Sequence, residues 1–228
     1  MRVRDRCDPS ACSLLREGTD MTRERAMYRL YDYLPSGNGY KARLVMKQLE
    51  IPYELIDVDI RAGASRTPEF LAKNPNGRIP VLEVPGKGHL AESHAIIAYL
   101  AEGSPLIPTD AFARGQMWQW MCFEQYHLEP SIGTVRFWIG SLHKTRAELG
   151  DKLIEKKKAG YAALDVLEEG LRNRKFLVDD RYSLADIAVF AYTHVAHEGG
   201  FDLAPYPNVR AWCDRLMNQP RWAPITER

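Results

Sequence analysis

Cysteine is scarce: Cys7, Cys12, Cys122 and Cys213 are scattered over 228 residues, with no CxxC or metal-ligand spacing among them. That excludes a disulfide-stapled scaffold and a zinc-ribbon site, and it fits a reducing compartment, the cytoplasm. Long hydrophobic runs are absent as well. The longest uninterrupted apolar stretch, Ala95 to Ala101, is far short of the ~20 residues that cross a bilayer, so no spanning helix and no membrane partner are expected. Neither sign of charge prevails. With 31 Lys and Arg against 30 Asp and Glu, the chain does not read as one that coats nucleic acid. Internal repeats and low-complexity runs are also missing. What remains is an ordinary globular composition, 45% hydrophobic and 27% charged, with length for one large core or two small ones at ~150 residues per domain.

Residues 1–26 carry six arginines against five acids and only a five-residue apolar patch, Ala11 to Leu15. This reads as a flexible N-terminal extension. The patch is too short for a signal peptide and the acids are too many for a mitochondrial transit peptide, and Met21 and Met27 are alternative starts.

From Met27 the pattern changes. Tyr28, Leu30, Tyr31 and Tyr33 favour a strand, Pro35 to Gly39 a turn, and Ala42, Leu44, Val45, Met46 and Leu49 have helical spacing. A second strand at Tyr53 to Val58 completes a βαβ unit with parallel strands. Pro68 to Lys73 reads as a short helix. Val81 to Val84 and His89 to Ala91, split by Pro85-Gly86-Lys87-Gly88, read as a hairpin, and Glu92 to Ala101 as a helix. Gly103, Pro105 and Pro108 punctuate a linker, so the first domain is placed at 27–104 and an all-helical second domain at 105–228. There a long helix is expected from Ala111 to Leu142, kinked at Pro130, whose missing N–H would leave the Tyr126 carbonyl unpaired. Further helices are expected over Arg146 to Asn173, from Ser183, and over Pro207 to Met217.

This order of elements, together with YDYLPSGNGYKARL, NPNGRIPVLE, ESHAIIAYL, FEQYHLEPSIGTVRFW and YSLADIAVFAY, resembles the soluble glutathione transferases from about Met27 to Trp222. The resemblance is to bacterial members that activate the thiol with serine or asparagine. The fold class it implies is an α/β thioredoxin-like N-terminal domain followed by an all-α C-terminal domain.

The same resemblance assigns a site. Arg78-Ile79-Pro80-Val81 matches the segment in which a cis proline turns the preceding backbone toward a peptide ligand. By that match Arg78 contacts the glycyl end of glutathione, and Ile79 and Pro80 present backbone to it. Glu92-Ser93 opens a helix whose N–H groups favour a carboxylate, here the γ-glutamyl carboxylate, with Glu92 toward the α-ammonium. Ser36 matches the active-site serine of serine-type enzymes, and Asn38 an asparagine that donates to sulfur in relatives; Ser36 is expected to be the main thiol donor. On the residues alone each has a plainer reading: a turn proline, a helix cap, a surface arginine, a Gly-rich loop. Neither position is a cysteine, which argues against the cysteine-type relatives.

In the helical half Met117, Trp118, Trp120, Met121 and Phe123 form a stripe that reads as core, while Tyr126, His127 and Arg136 are the polar candidates for a second, apolar substrate pocket. Ser183-Leu184-Ala185-Asp186 reads as a capping box with Asp186 buried. His194 and His197 lack a third ligand, so no metal is expected. The resemblance implies an enzyme, a glutathione transferase that joins the thiolate to a small apolar electrophile. Glutathione is cosubstrate rather than cofactor, and the protein is expected to be a homodimer. Two alternatives stay open: a glutathione-dependent disulfide reductase, and a non-catalytic transferase-like interaction module.

Overall fold

The computed structural model describes residues 27–228; the expected N-terminal extension over 1–26, with Cys7 and Cys12, lies outside the described residues. Strand β1 (Tyr28–Asp32) is flanked by β2 (Tyr53–Asp57) in parallel and by β3 (Val81–Val84) antiparallel, and β4 (Gly88–Ala91) closes the hairpin, giving the order β2-β1-β3-β4. Helix α1 (Gly37–Gln48) is the βαβ crossover, because parallel neighbours cannot be joined by a tight turn. Leu30 sits between Leu55 and Leu82 in register, fully buried, so the middle strand carries its apolar residue into the core. Helices α2 (Pro68–Leu71) and α3 (Ser93–Leu100) complete the first unit, with Thr67 capping α2 ahead of Pro68. The Ile79-Pro80 peptide bond is cis.

The second unit is helical: α4 (Ala111–Phe123), α5 (Thr134–Arg136), α6 (Arg146–Gly170), α7 (Leu184–Thr193) and α8 (Pro207–Met217). Where one kinked α-helix was expected over 111–142, the chain instead widens into π-helical winding over Glu124–Gly133 and again over Phe137–Ser141, with α5 between. In this winding each N–H reaches the carbonyl five residues back, as Thr134 does to Glu129. The donor lost at Pro130 therefore falls to Gln125 rather than Tyr126.

Helix α7 is the centre of the helical unit, buried along its whole length. Its start is fixed by Asp186, which is fully buried and accepts from the Ser183 N–H (3.0 Å) and hydroxyl (3.2 Å), the Leu177 N–H (3.0 Å) and the Trp212 indole (2.9 Å). At its far end His194 stacks on Phe190 at 4.1 Å and donates from Nδ1 to the Phe190 carbonyl at 2.7 Å. Burial holds this imidazole down at about 4, so it is neutral at pH 7. That is a packed histidine, and among the described residues no group of three or more His, Cys, Asp or Glu could hold a metal ion. No helix among them is long and apolar enough to cross a membrane.

Candidate functional site

The site is built around the start of α1. Ser36 is the helix cap, its hydroxyl accepting the Gly39 N–H at 3.2 Å while its own N–H donates to the Tyr33 carbonyl at 2.7 Å. The hydroxyl proton is left free to donate. The lip before it is tied to the helical unit by Arg136, whose Nη1 donates to the Pro35 carbonyl at 2.6 Å while Nε and Nη2 both reach Glu198 at 2.9 Å. Tyr192, in the last turn of α7, wedges between Gly37 and Gly133. A methyl group at Gly37 would lie 2.5 Å from its ring and one at Gly133 2.8 Å, so only glycine permits these approaches, the first of them between the two units. Burial pushes the Tyr192 phenol well above its usual range, which keeps it neutral.

Two adjoining cavities open here. The smaller, of about 250 Å³, is lined by Asn38, Asn74, Asn76, Arg78, Ile79, Pro80, Glu92, Ser93, Gln125 and Glu129. The larger, of about 400 Å³, takes in Tyr33, Pro35, Ser36, Gly37, Ile60, Ser65, Arg66, Gly77, Thr134, Arg136, Phe137 and Tyr192. Asn38, Arg78, Ile79 and Glu129 line both, so a ligand running from one cavity into the other passes these four.

The chain before α3 is bent in an unusual way. Glu92 has φ 68° and ψ 117°, a conformation a side-chain-bearing residue rarely adopts, and it turns its exposed carboxylate to the rim of the smaller cavity. Ser93 follows, buried, at the first position of α3.

Beneath Asn38 lies a buried polar network. The Lys41 ammonium, fully buried, donates to Asn38 Oδ1 (2.9 Å) and to Glu124 Oε2 (2.6 Å), with His94 Nε2 at 3.3 Å. His94 Nε2 is itself 2.8 Å from the same Glu124 oxygen. Burial, reinforced by Lys41, pushes the His94 imidazole below its usual value. Burial alone would raise the Glu124 carboxyl, but Lys41 and His94 together outweigh it and hold it low, so Glu124 is an anion. Glu129, half-buried, is pushed up by burial and then by the charge on Glu124.

The structure thus brings Ser36, Asn38, Arg78, Ile79, Pro80, Glu92 and Ser93 around one pair of cavities. Arg136 reaches the wall too, but its guanidinium is engaged by Glu198 and Pro35. Tyr126 and His127 do not reach it: Tyr126 is 82% exposed and His127 is exposed, their rings packing on each other and His127 on Phe123. The physical reason is the π winding, which turns Glu129, Gly133, Phe137 and Ser141 to the cavity and the expected pair to solvent. Nor is the larger cavity the apolar one expected, since Arg66, Arg78, Ser36 and Thr134 share its wall with Tyr33, Ile60 and Phe137. The sequence does not single out Lys41, Glu124, Glu129 and Tyr192, although all lie inside the segments that carry the resemblance. A lysine and a glutamate on otherwise apolar helix faces were the available signal.

A thioredoxin-like sheet unit with a cis proline beside its ligand cleft, joined to a helical unit that closes the cleft, defines the class of fold. The family descriptions "Glutathione S-transferase, N-terminal domain" and "Glutathione S-transferase, C-terminal domain" match residues 26–102 and 121–220. The chain belongs to the glutathione S-transferase family. It is 31% identical to the disulfide-bond oxidoreductase YfcG of Escherichia coli K12 over 201 residues, covering 85% of this chain and 92% of that protein. A glutathione S-transferase crystal structure from Pseudomonas fluorescens superposes with a TM-score of 0.86 at 45% identity, covering 89% of this chain and all of that one. A glutathione transferase from Burkholderia graminis, solved with two glutathione molecules bound per subunit, superposes at 0.74 with 28% identity, covering 86% and 85%.

Proposed function

We propose that the protein is a glutathione transferase: glutathione occupies the smaller cavity and points its thiol into the larger one, where a small electrophile is held. The observation that carries this reading is the shared wall of the two cavities, in which Asn38, with Ser36 beside it, stands where the thiol must emerge. Glu92 and Ser93 would take the γ-glutamyl end, the Ile79 backbone the cysteinyl peptide and Arg78 the glycyl carboxylate. Thiolate formation is favoured by the Ser36 hydroxyl, the Asn38 amide and the N–H groups at the start of α1; free thiols near ~8.5 fall to between ~3.5 and ~7.5 in such settings. The thiolate then attacks the electrophile, forming a carbon–sulfur bond as the leaving group departs with its electron pair. Holding the two reactants in adjoining cavities supplies the rest.

A second reading is favoured by the polar wall of the larger cavity. Arg66 and Arg78 beside Ser36 and Thr134 suit a second glutathionyl group, so that bound glutathione reduces a disulfide without an enzyme cysteine. Two glutathiones per subunit in the Burkholderia graminis relative, and the activity named for YfcG, support it. The reading also includes a homodimer, on the resemblance, and a reducing compartment, for which the unpaired Cys122 and Cys213 are suited.

Calorimetric titration with glutathione and with its disulfide, followed by turnover assays, tests these readings. Tight glutathione binding with aryl-halide turnover is the expected result. Disulfide binding with thiol–disulfide turnover and no conjugation would replace the first reading by the second, and no binding of either would overturn both.

A further inference from the structure

We infer that Lys41 is a positioning residue for the reaction: from inside the protein it fixes which way the Asn38 amide faces, so that the amide N–H groups are presented to the thiol. The inference rests on the reading that the site binds the glutathione thiol at Asn38. Asn38 Oδ1 receives the Lys41 ammonium at 2.9 Å and the Ser93 hydroxyl at 3.3 Å. An ammonium has only donors, so the amide oxygen must face it and the two N–H groups must face away from the buried network. The flipped amide would set N–H against N–H inside the protein. Asn38 lines both cavities, and the side chain so oriented offers donors, not an acceptor, to a sulfur bearing negative charge.

The lysine is itself held from the other unit. Glu124, at the start of the π-wound run, takes its Nζ at 2.6 Å, and the Tyr192 ring lies 5.5 Å below the ammonium. The charged and titratable groups facing Lys41 are therefore Glu124 and His94 in contact, Tyr192 from α7, and Glu129 from the cavity side, with Glu92 acting on His94. Because Glu124 neutralises the ammonium, the contribution of Lys41 to the thiol is chiefly geometric. Burying such a pair adds little stability over apolar packing of the same volume, so stability is a weak account of its presence. Ser36 has no such support: its hydroxyl accepts one N–H and is otherwise free to rotate.

The test is the thiolate absorbance of bound glutathione against pH in wild type, Asn38→Ala, Lys41→Met and the double variant. Lys41→Met is expected to raise the midpoint by about one pH unit, tenfold in thiolate fraction well below the midpoint, and by as much as Asn38→Ala does. The double variant is expected to shift no further than Asn38→Ala alone, a non-additivity that a purely structural lysine would not produce. Should Lys41→Met leave Glu124 uncompensated and the chain unfolded, Lys41→Met with Glu124→Gln removes both charges and is read in the same way. A midpoint unmoved by loss of Lys41 while Asn38→Ala raises it, or shifts that simply add, overturns the inference. A wild type that binds glutathione without lowering its thiol midpoint overturns instead the reading on which it rests.

Discussion

Glu92 stands at a φ of 68° where glycine is at ease and glutamate is not, a strain of order 1–3 kcal/mol at such positions. Its side chain makes no capping bond to α3, so helix formation does not account for it. The carboxylate at the rim of the smaller cavity does. Glu92→Gly should therefore separate the two roles: the melting temperature should hold or rise, while glutathione affinity falls by about ten- to a hundredfold through loss of a charged hydrogen bond of ~1.5–3 kcal/mol. Calorimetry and a thermal melt on one preparation decide it, and unchanged affinity would place the α-ammonium elsewhere. Ser36, Asn38, Arg78 and Glu92 were legible as candidates because the family resemblance falls on short local motifs: a Gly-rich turn, an arginine two residues before a proline, a helix start. Glu129 was not. It reaches the cavity only because ten residues of π winding turn it there, which no local pattern announces.

Among the elements, α7 shows how much one side chain can organise. Asp186 joins the helix start to the Leu177 segment and, through Trp212, to α8. Asp186→Asn keeps the volume but sets an N–H2 against at least one buried backbone N–H, whichever way the amide turns. A loss of about 2 kcal/mol or more is expected, since each buried donor left unsatisfied costs ~1–3 kcal/mol. Urea denaturation measures it; a midpoint equal to wild type would show that Asp186 does not anchor these elements. The capping pair was readable at three-residue spacing in the sequence, and its burial followed from the apolar run behind it. The third partner, Trp212, lies 26 residues on and was not readable. The helical run expected over 111–142 is present through Ser141, but its winding was not readable for a related reason: Pro130 marks where regular α winding must break but not how.

At the scale of the whole molecule the chain after α8 returns to the first unit. Arg43, buried on α1, donates to Asp32, to the Leu34 carbonyl, and to the carbonyls of Ile225 (3.0 Å) and Glu227 (2.8 Å), and the Tyr40 hydroxyl donates to the Ala223 carbonyl at 2.7 Å. Gln48 and Tyr182 join the units again further along α1. Removing residues 223–228 should thus destabilise the sheet unit, remote in sequence, by on the order of 3 kcal/mol, because the buried Arg43 loses two of its acceptors and the buried Tyr40 hydroxyl loses the Ala223 carbonyl. The unfolding midpoint in urea is the readout, and a truncated chain as stable as the full one would refute the strap.

The sequence by itself determined the order of elements, the thioredoxin-like and helical halves, the cis-proline segment and the first-domain side of the cleft. The order of elements and the two halves follow from local periodicity and turn chemistry, in which each residue's conformation depends on near neighbours, whereas the cis-proline segment and the cleft residues were implied by the family resemblance that the motifs carry. Only the tertiary structure decided that Asn38 turns its amide oxygen to Lys41 and Ser93, that Glu124 and Tyr192 reach across from the helical unit, and that Tyr126 and His127 look outward. Those outcomes depend on which helix faces meet and on where buried charges find partners: Lys41 is three residues from Asn38, but the Glu124 that holds it is 83 residues on and Ser93 is 55 from Asn38, contacts that no short window of sequence contains.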